Sequence, residues 1–222
     1  MRKLIERLDR AVPFPEPVYE FGALQPEGQA ERAIRSLFEG RDYVGCDFRE
    51  GPGVDRVLDL EALDLPDASV GSVIALDTIE HVERFWTAAE EIRRVLRPGG
   101  FAVLTSVMYF PIHAYPSDYW RFTPEGFRAL GRPFETLLVE WAGLRDFPHS
   151  VVLVGGGAEL PPAQEAALRE ALAVWRRRDA QSWKEILSLW MPPILFNPAY
   201  RWYTERAARR ERARTGEARE AT

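Results

Sequence analysis

Cysteine is almost absent from this chain. Cys46 is the single one in 222 residues, so no internal disulfide can form and no cysteine cluster can hold zinc. Histidine is nearly as scarce: His81, His113 and His149 are scattered along the sequence, their spacing forms no metal motif, and no metal is expected. Long apolar runs are missing as well. Stretches such as Phe101 to Val107 and Val151 to Val154 fall far short of the roughly 20 residues that cross a bilayer. Near the start, Arg2, Lys3, Glu6, Arg7, Asp9 and Arg10 interrupt any apolar signal region, so a cytoplasmic protein is expected. Internal repeats and low-complexity blocks are lacking. A strongly basic balance is lacking too: the net charge is −5, and only the stretch from Arg201 onward, with seven arginines against four glutamates, is basic. Those charges are interleaved rather than blocked, which describes a solvated helix better than a nucleic-acid-binding arm.

What is present is a chain, 46% hydrophobic, long enough to close one sizeable core and carry an appendage. Short β-rich apolar runs alternate with segments of helical period, the pattern of an α/β fold with a mostly parallel sheet flanked by helices. Seven strands are predicted, at Pro17 to Phe21, Asp42 to Cys46, Val54 to Leu58, Ser72 to Leu76, Phe101 to Ser106, Thr136 to Glu140 and Ser150 to Val154. Ala30, Ala33, Ile34, Leu37 and Phe38 predict a crossover helix stopped by Gly40. Val82, Phe85, Trp86, Ala89, Ile92, Val95 and Leu96 predict a longer one stopped at Pro98-Gly99-Gly100. The last two strands, separated by residues with no helical stripe, are expected to form an antiparallel hairpin. Thr123-Pro124-Glu125 has the makings of a helix start. A domain over 1–157 is therefore expected, followed over 158–222 by a helical extension with an arginine-rich tail. In it Leu168, Ala171, Leu172 and Trp175 mark one helix, and Trp183, Ile186, Leu187 and Trp190 another.

In an open parallel sheet, ligands bind beyond the carboxyl ends of the strands near the point where strand order reverses. Four places qualify. Gly22, after the first strand, can let the chain pass close to a ligand, and Glu20 offers a carboxylate; a plain glycine turn would look the same. Asp47, at the tip of the second strand, lies at the interval from Gly22 expected of a ribose-binding acid. Asp59 and Leu60 can read an adenine through a carboxylate and a neighbouring backbone N–H, although much of that region is polar loop. Asp77, Glu80 and His81 run from the fourth strand into the long helix; there His81 suits a general base, and the plainer alternative for Glu80 and His81 is a solvated helix start.

Three segments in this order and spacing, Asp59 to Ser69, Ala75 to Val82 and Glu91 to Gly100, resemble the class I methyltransferases, most closely the type 11 group. Pro116-Ser117-Asp118-Tyr119-Trp120-Arg121-Phe122-Thr123-Pro124-Glu125-Gly126 resembles a segment found in a subset of them. The resemblance runs from about Val18 to Leu130. It implies a Rossmann-like, seven-stranded sheet with one antiparallel strand, S-adenosylmethionine as methyl donor and S-adenosylhomocysteine as product. By the same resemblance Glu20 and Gly22 match the loop under the methionine part, Asp47 the ribose acid, Asp59 and Leu60 the adenine site, and Asp77 the wall beside the methyl group. One departure stands out: the family's first loop alternates two or three glycines, whereas Ala23, Leu24, Gln25 and Pro26 follow Gly22 and only Gly28 comes later.

Methyl transfer from a sulfonium is an in-line displacement that depends mainly on positioning. A hydroxyl acceptor would benefit from a base, with His113 the first candidate and His81 the second. Tyr119, Trp120 and Arg121 are candidate substrate contacts, Arg121 toward an anionic group; they could equally pack the loop onto the sheet. The expected acceptor is a small molecule. The Trp183 to Trp190 stripe admits core packing, a dimer face or a peripheral membrane contact. Absence of a Gly-x-Gly-x-x-Gly turn argues against a nicotinamide enzyme. A non-catalytic protein that binds S-adenosylmethionine or S-adenosylhomocysteine is the alternative to an enzyme.

Overall fold

The computed structural model describes residues 1–25, 34–113, 117–144 and 147–178, the side chains of 144, 147 and 178 aside. Gly28, the Trp183 to Trp190 stripe and the arginine-rich tail lie outside the described residues. All seven predicted strands form: β1 (Val18–Phe21), β2 (Tyr43–Asp47), β3 (Arg56–Val57), β4 (Val70–Ala75), β5 (Leu96–Val107), β6 (Thr136–Leu144) and β7 (Phe147–Gly156). They make one sheet in the order β3-β2-β1-β4-β5-β7-β6. β3 to β5 are joined in parallel through β2, β1 and β4, while β7 runs antiparallel between β5 and β6. The expected hairpin is thus β6–β7, longer at both ends than its apolar core implied.

Successive strand residues face opposite sides, and each side buries its own apolar set. On one face Phe21, Val73, Ala75, Ala102, Leu104 and Leu153 pack under α2 (Phe85–Val95) and α3 (Pro124–Leu130). On the other, Val18, Ile74, Val103, Val152 and Val154 pack under α1 (Arg2–Ala11) and α4 (Pro162–Arg178). Leu168, Ala171, Leu172 and Trp175 of α4 are all buried there. This helix closes the second face, and the compact unit that contains it runs from Met1 to Ala180. No helix of the described residues is long and apolar enough to cross a membrane.

Three local expectations are corrected. α1 was not foreseen, although Leu4, Ile5 and Leu8 form its buried stripe. Of the first crossover helix, the described part is a single 3-10 turn at Arg35–Phe38. α2 starts at Phe85, not Val82, and stops at Val95, before Pro98-Gly99-Gly100. Those three residues lie instead in β5, where the pairing to β4 shifts register between Val70–Leu96 and Ser72–Phe101, with Gly99 at φ +78°.

Candidate active site

The sheet reverses its winding between β1 and β4, and the residues singled out beyond β1, β2, β3 and β4 line that edge. Gly22 takes φ +80°, and a β-carbon on it would lie 2.4 Å from Thr78 Oγ1. That hydroxyl donates to the carbonyl oxygens of Phe21 and Leu76, at 3.3 and 3.0 Å, tying the β1 turn to the β4 turn. Ala23 N–H donates to Cys46 O and Gln25 N–H to Pro52 O. Gly53, at φ +89°, lets the loop after β2 approach so closely that a β-carbon there would fall 2.5 Å from Ala23 O. Gly51-Pro52-Gly53, just beyond β2, thus packs closely against the glycine-poor loop that follows Gly22.

Glu20 points away from the strand tip, into the α1/α4 face, where its carboxylate accepts from the Tyr43 hydroxyl. Burial raises its pKa to about 7 against the lowering influence of Tyr43 and Arg35. Asp47 ends β2 at 6% exposure, and its Oδ1 accepts from Arg49 N–H at 3.0 Å. Asp59 is exposed and closes a turn by accepting from Glu61 N–H at 2.8 Å, while the Leu60 side chain is buried in the core. Any part Leu60 has in holding a ring therefore belongs to its main chain.

Asp77 is a non-glycine residue at φ +48°, a conformation that costs on the order of 1 to 3 kcal/mol and collects at functional sites. Thr105 on β5 clamps it from both sides: Asp77 N–H donates to Thr105 Oγ1, which donates to Asp77 Oδ1, both at 2.9 Å. Burial raises the Asp77 pKa, opposed by the Thr105 hydrogen bond and by His113 and His81 nearby. The 3-10 turn Ile79–His81 follows, so Glu80 and His81 do not open the long helix as expected. Glu80 is fully buried, and burial together with the Asp77 charge raises its pKa to about 8.

The loop after β5 folds back over this turn. The rings of His81 and His113 meet edge to face, 4.7 Å between centroids. His81 Nδ1 lies 2.6 Å from Ser117 O, an acceptor only, so this nitrogen carries the proton. His113 Nδ1 faces two acceptors, Asp118 Oδ2 at 3.0 Å and Pro111 O at 3.2 Å, and is protonated for the same reason. An imidazole with its proton on Nδ1 carries its lone pair on Nε2. Burial lowers the His81 pKa, favouring the neutral ring.

Arg121, a candidate contact for an anionic group, is engaged within its own loop. All five of its guanidinium N–H groups are engaged within the loop: two on Asp118, one each on the carbonyls of Phe110, Pro111 and Trp120. Trp120 donates its indole N–H to Val82 O at 3.0 Å and packs edge to face on Phe85, while Tyr119 stays exposed. Tyr119 and Trp120 N–H both donate to Glu80 O. Of the three, only Tyr119 offers its side chain outward.

The strand order, with its single antiparallel strand, defines the Rossmann-like fold of class I methyltransferases. Residues 30–104 match the family model described as a methyltransferase domain. No curated protein matches the sequence. Solved structures of similar fold include a SAM dependent methyltransferase from Archaeoglobus fulgidus, at 16% identity and TM-score 0.52, covering 70% of this chain and 94% of that one. Another is the 1,6-didemethyltoxoflavin-N1-methyltransferase of Burkholderia thailandensis with bound 1,6-didemethyltoxoflavin and S-adenosylhomocysteine, at 19% and 0.53, covering 71% and 77%. The Haemonchus contortus phosphoethanolamine N-methyltransferase 2 in complex with S-adenosyl-L-methionine stands at 14% and 0.53, covering 71% and 52%. At these identities the likeness is one of fold.

Proposed function

We propose that the protein transfers a methyl group from S-adenosylmethionine to a hydroxyl of a small-molecule acceptor held beside His81 and His113. The reading is carried by Gly22, Asp47, Asp59 and Asp77, which follow β1 to β4 at one edge of the sheet, and by His81 and His113, which lie near Asp77. Asp47 takes the ribose hydroxyls, Asp59 and the Leu60 main chain the adenine, and the turn at Gly22 the methionine part. Glu20 acts from beneath, bracing Tyr43 under that turn. Asp77 walls the methyl group. As the acceptor oxygen bonds to the methyl carbon, the carbon–sulfur bond breaks to give S-adenosylhomocysteine, and the acceptor proton passes to His113 Nε2, whose Nδ1 is oriented by Asp118. Tyr119 is the substrate contact that the loop leaves available.

Calorimetric titration with S-adenosylmethionine and S-adenosylhomocysteine tests the donor half, with Asp47→Ala as control. Binding that Asp47→Ala abolishes supports the reading; no binding of either ligand to the wild type overturns it. Binding without turnover across a screen of hydroxyl acceptors would favour a non-catalytic ligand-binding protein, to which the replaced glycines after Gly22 point. His113→Ala with full activity would end the role of that histidine.

A further inference from the structure

We propose that Glu80, His81 and His113 form a binding site for a divalent first-row transition-metal ion. One ligand atom from each residue lies within 4.8 Å of the other two, a span that an ion about 2.1 Å from each ligand bridges after small side-chain rotations. Sequence spacing concealed the group, because His113 returns to His81 only when β5 and its loop fold over the Ile79–His81 turn. Two histidines and one carboxylate are a donor set suited to ions such as Zn²⁺, Mn²⁺ or Co²⁺, with coordination positions left for an exogenous oxygen.

A second, independent observation points the same way. Glu80 is fully buried, and neither of its carboxyl oxygens reaches hydrogen-bond geometry with a partner; the Ser106 hydroxyl beside it is buried and unsatisfied too. A carboxyl group sealed from water pays heavily for its charged form, and a coordinated cation would supply the partner that form lacks. Arg121, whose charge acts on Glu80, does not, because its N–H groups are committed to Asp118 and three carbonyls. The surroundings of the histidines are those of metal ligands. Ser117 O lies against His81 Nδ1 and Asp118 against His113 Nδ1, orienting both rings as outer-shell partners orient metal ligands. The segment from Ser117 to Arg121 thereby serves as a frame for the three ligands.

Where this meets the proposed methyl transfer, and only there resting on it, the ion takes over the histidines' part. It would bind the acceptor oxygen and acidify its hydroxyl, the proton leaving to water, before that oxygen displaces S-adenosylhomocysteine from the methyl carbon. The substrate class narrows accordingly to acceptors that present an oxygen to a metal.

The test is Co²⁺ titration of the full, untagged, chelator-treated chain, followed by calorimetry and visible absorption. Saturation at one ion per chain is expected, with loss of binding in Glu80→Gln and His113→Ala. Asp118→Asn should weaken it by about tenfold, as removing an outer-shell partner does. The unfolding midpoint without metal shows that each variant is folded, and added Co²⁺ should raise that midpoint only where all three ligands remain. Absence of saturable uptake overturns the site, as does uptake that Glu80→Gln and His113→Ala leave unchanged, which would place the ions elsewhere. A chain that binds S-adenosylhomocysteine but no Co²⁺ sinks this inference alone. One that binds Co²⁺ but no S-adenosylhomocysteine upholds the metal site and sinks the methyl-transfer reading.

Discussion

Glu20 in β1 and Gly22 in the turn just after it respond to substitution for unrelated reasons. Glu20 is buried at 9% exposure, with a pKa raised to about 7 from an ordinary value of 4.5. A raised folded-state pKa means that the native protein holds its proton where the unfolded chain has released it. Stability is therefore fully present below about 4.5 and declines as pH rises toward 7, after which it stays low. Glu20→Gln removes this titration: unfolding by urea should show equal stability near pH 4.5 and a gain on the order of 2 to 3 kcal/mol for the variant at pH 8. A gain of the same size at both pH values would refute the linkage. Gly22 is constrained by geometry. Gly22→Ala must hold φ +80° and push its β-carbon against Thr78 Oγ1, so a loss of about 1 to 3 kcal/mol is expected, together with weaker S-adenosylhomocysteine binding by calorimetry. Thr78→Ala in the same background relieves the contact but not the backbone; full recovery would show that the conformation at Gly22 costs nothing.

Among the elements, α3 shows how local chemistry sets a boundary. Thr123 caps it, its hydroxyl accepting from Gly126 N–H at 3.0 Å, with Pro124 at the first helical position. Thr123→Ala should cost about 1 kcal/mol in chemical denaturation and Thr123→Ser almost nothing; equal losses would mean that the methyl group, not the cap, matters. This start was readable because every signal was contiguous. So were the strands, whose apolar runs lie between turn residues, and α4, whose four buried positions recur at helical spacing. α1 is short and heavily charged, which hides the stripe of Leu4, Ile5 and Leu8 that buries it. The start of α2 was misplaced because Val82 and Phe85 continue the helical period while the chain between them does not: the Ile79–His81 turn ends at Val82 in an extended conformation. Periodicity reports which side chains are buried together, not whether the backbone between them is continuous.

Across the whole molecule, the site is assembled by topology. The order of the seven strands sets Gly22 beside Thr78 and Asp77 beside Thr105, pairs 56 and 28 residues apart that no local pattern links. The acidic residues at strand ends could be found from sequence because strand ends could; Glu80, Thr105 and the meeting of His81 with His113 depend on how β4, β5 and the following loop come together. If this edge holds the methyl donor as proposed, the molecule as a unit should respond to it. A ligand that binds only the native state stabilises it by about 2.7 kcal/mol at a hundredfold excess over its dissociation constant, which in a domain of this size raises the melting temperature by roughly 5 to 10 °C. S-adenosylhomocysteine should produce that rise in the wild type. Asp47→Ala, which removes the acid that ends β2 and leaves the two apolar faces intact, should melt near the wild-type temperature without ligand and gain almost nothing from it. An undiminished rise in Asp47→Ala would move the ribose elsewhere along the edge, to Asp59 or Asp77. No rise in either protein would mean that this sheet edge does not hold the methyl donor.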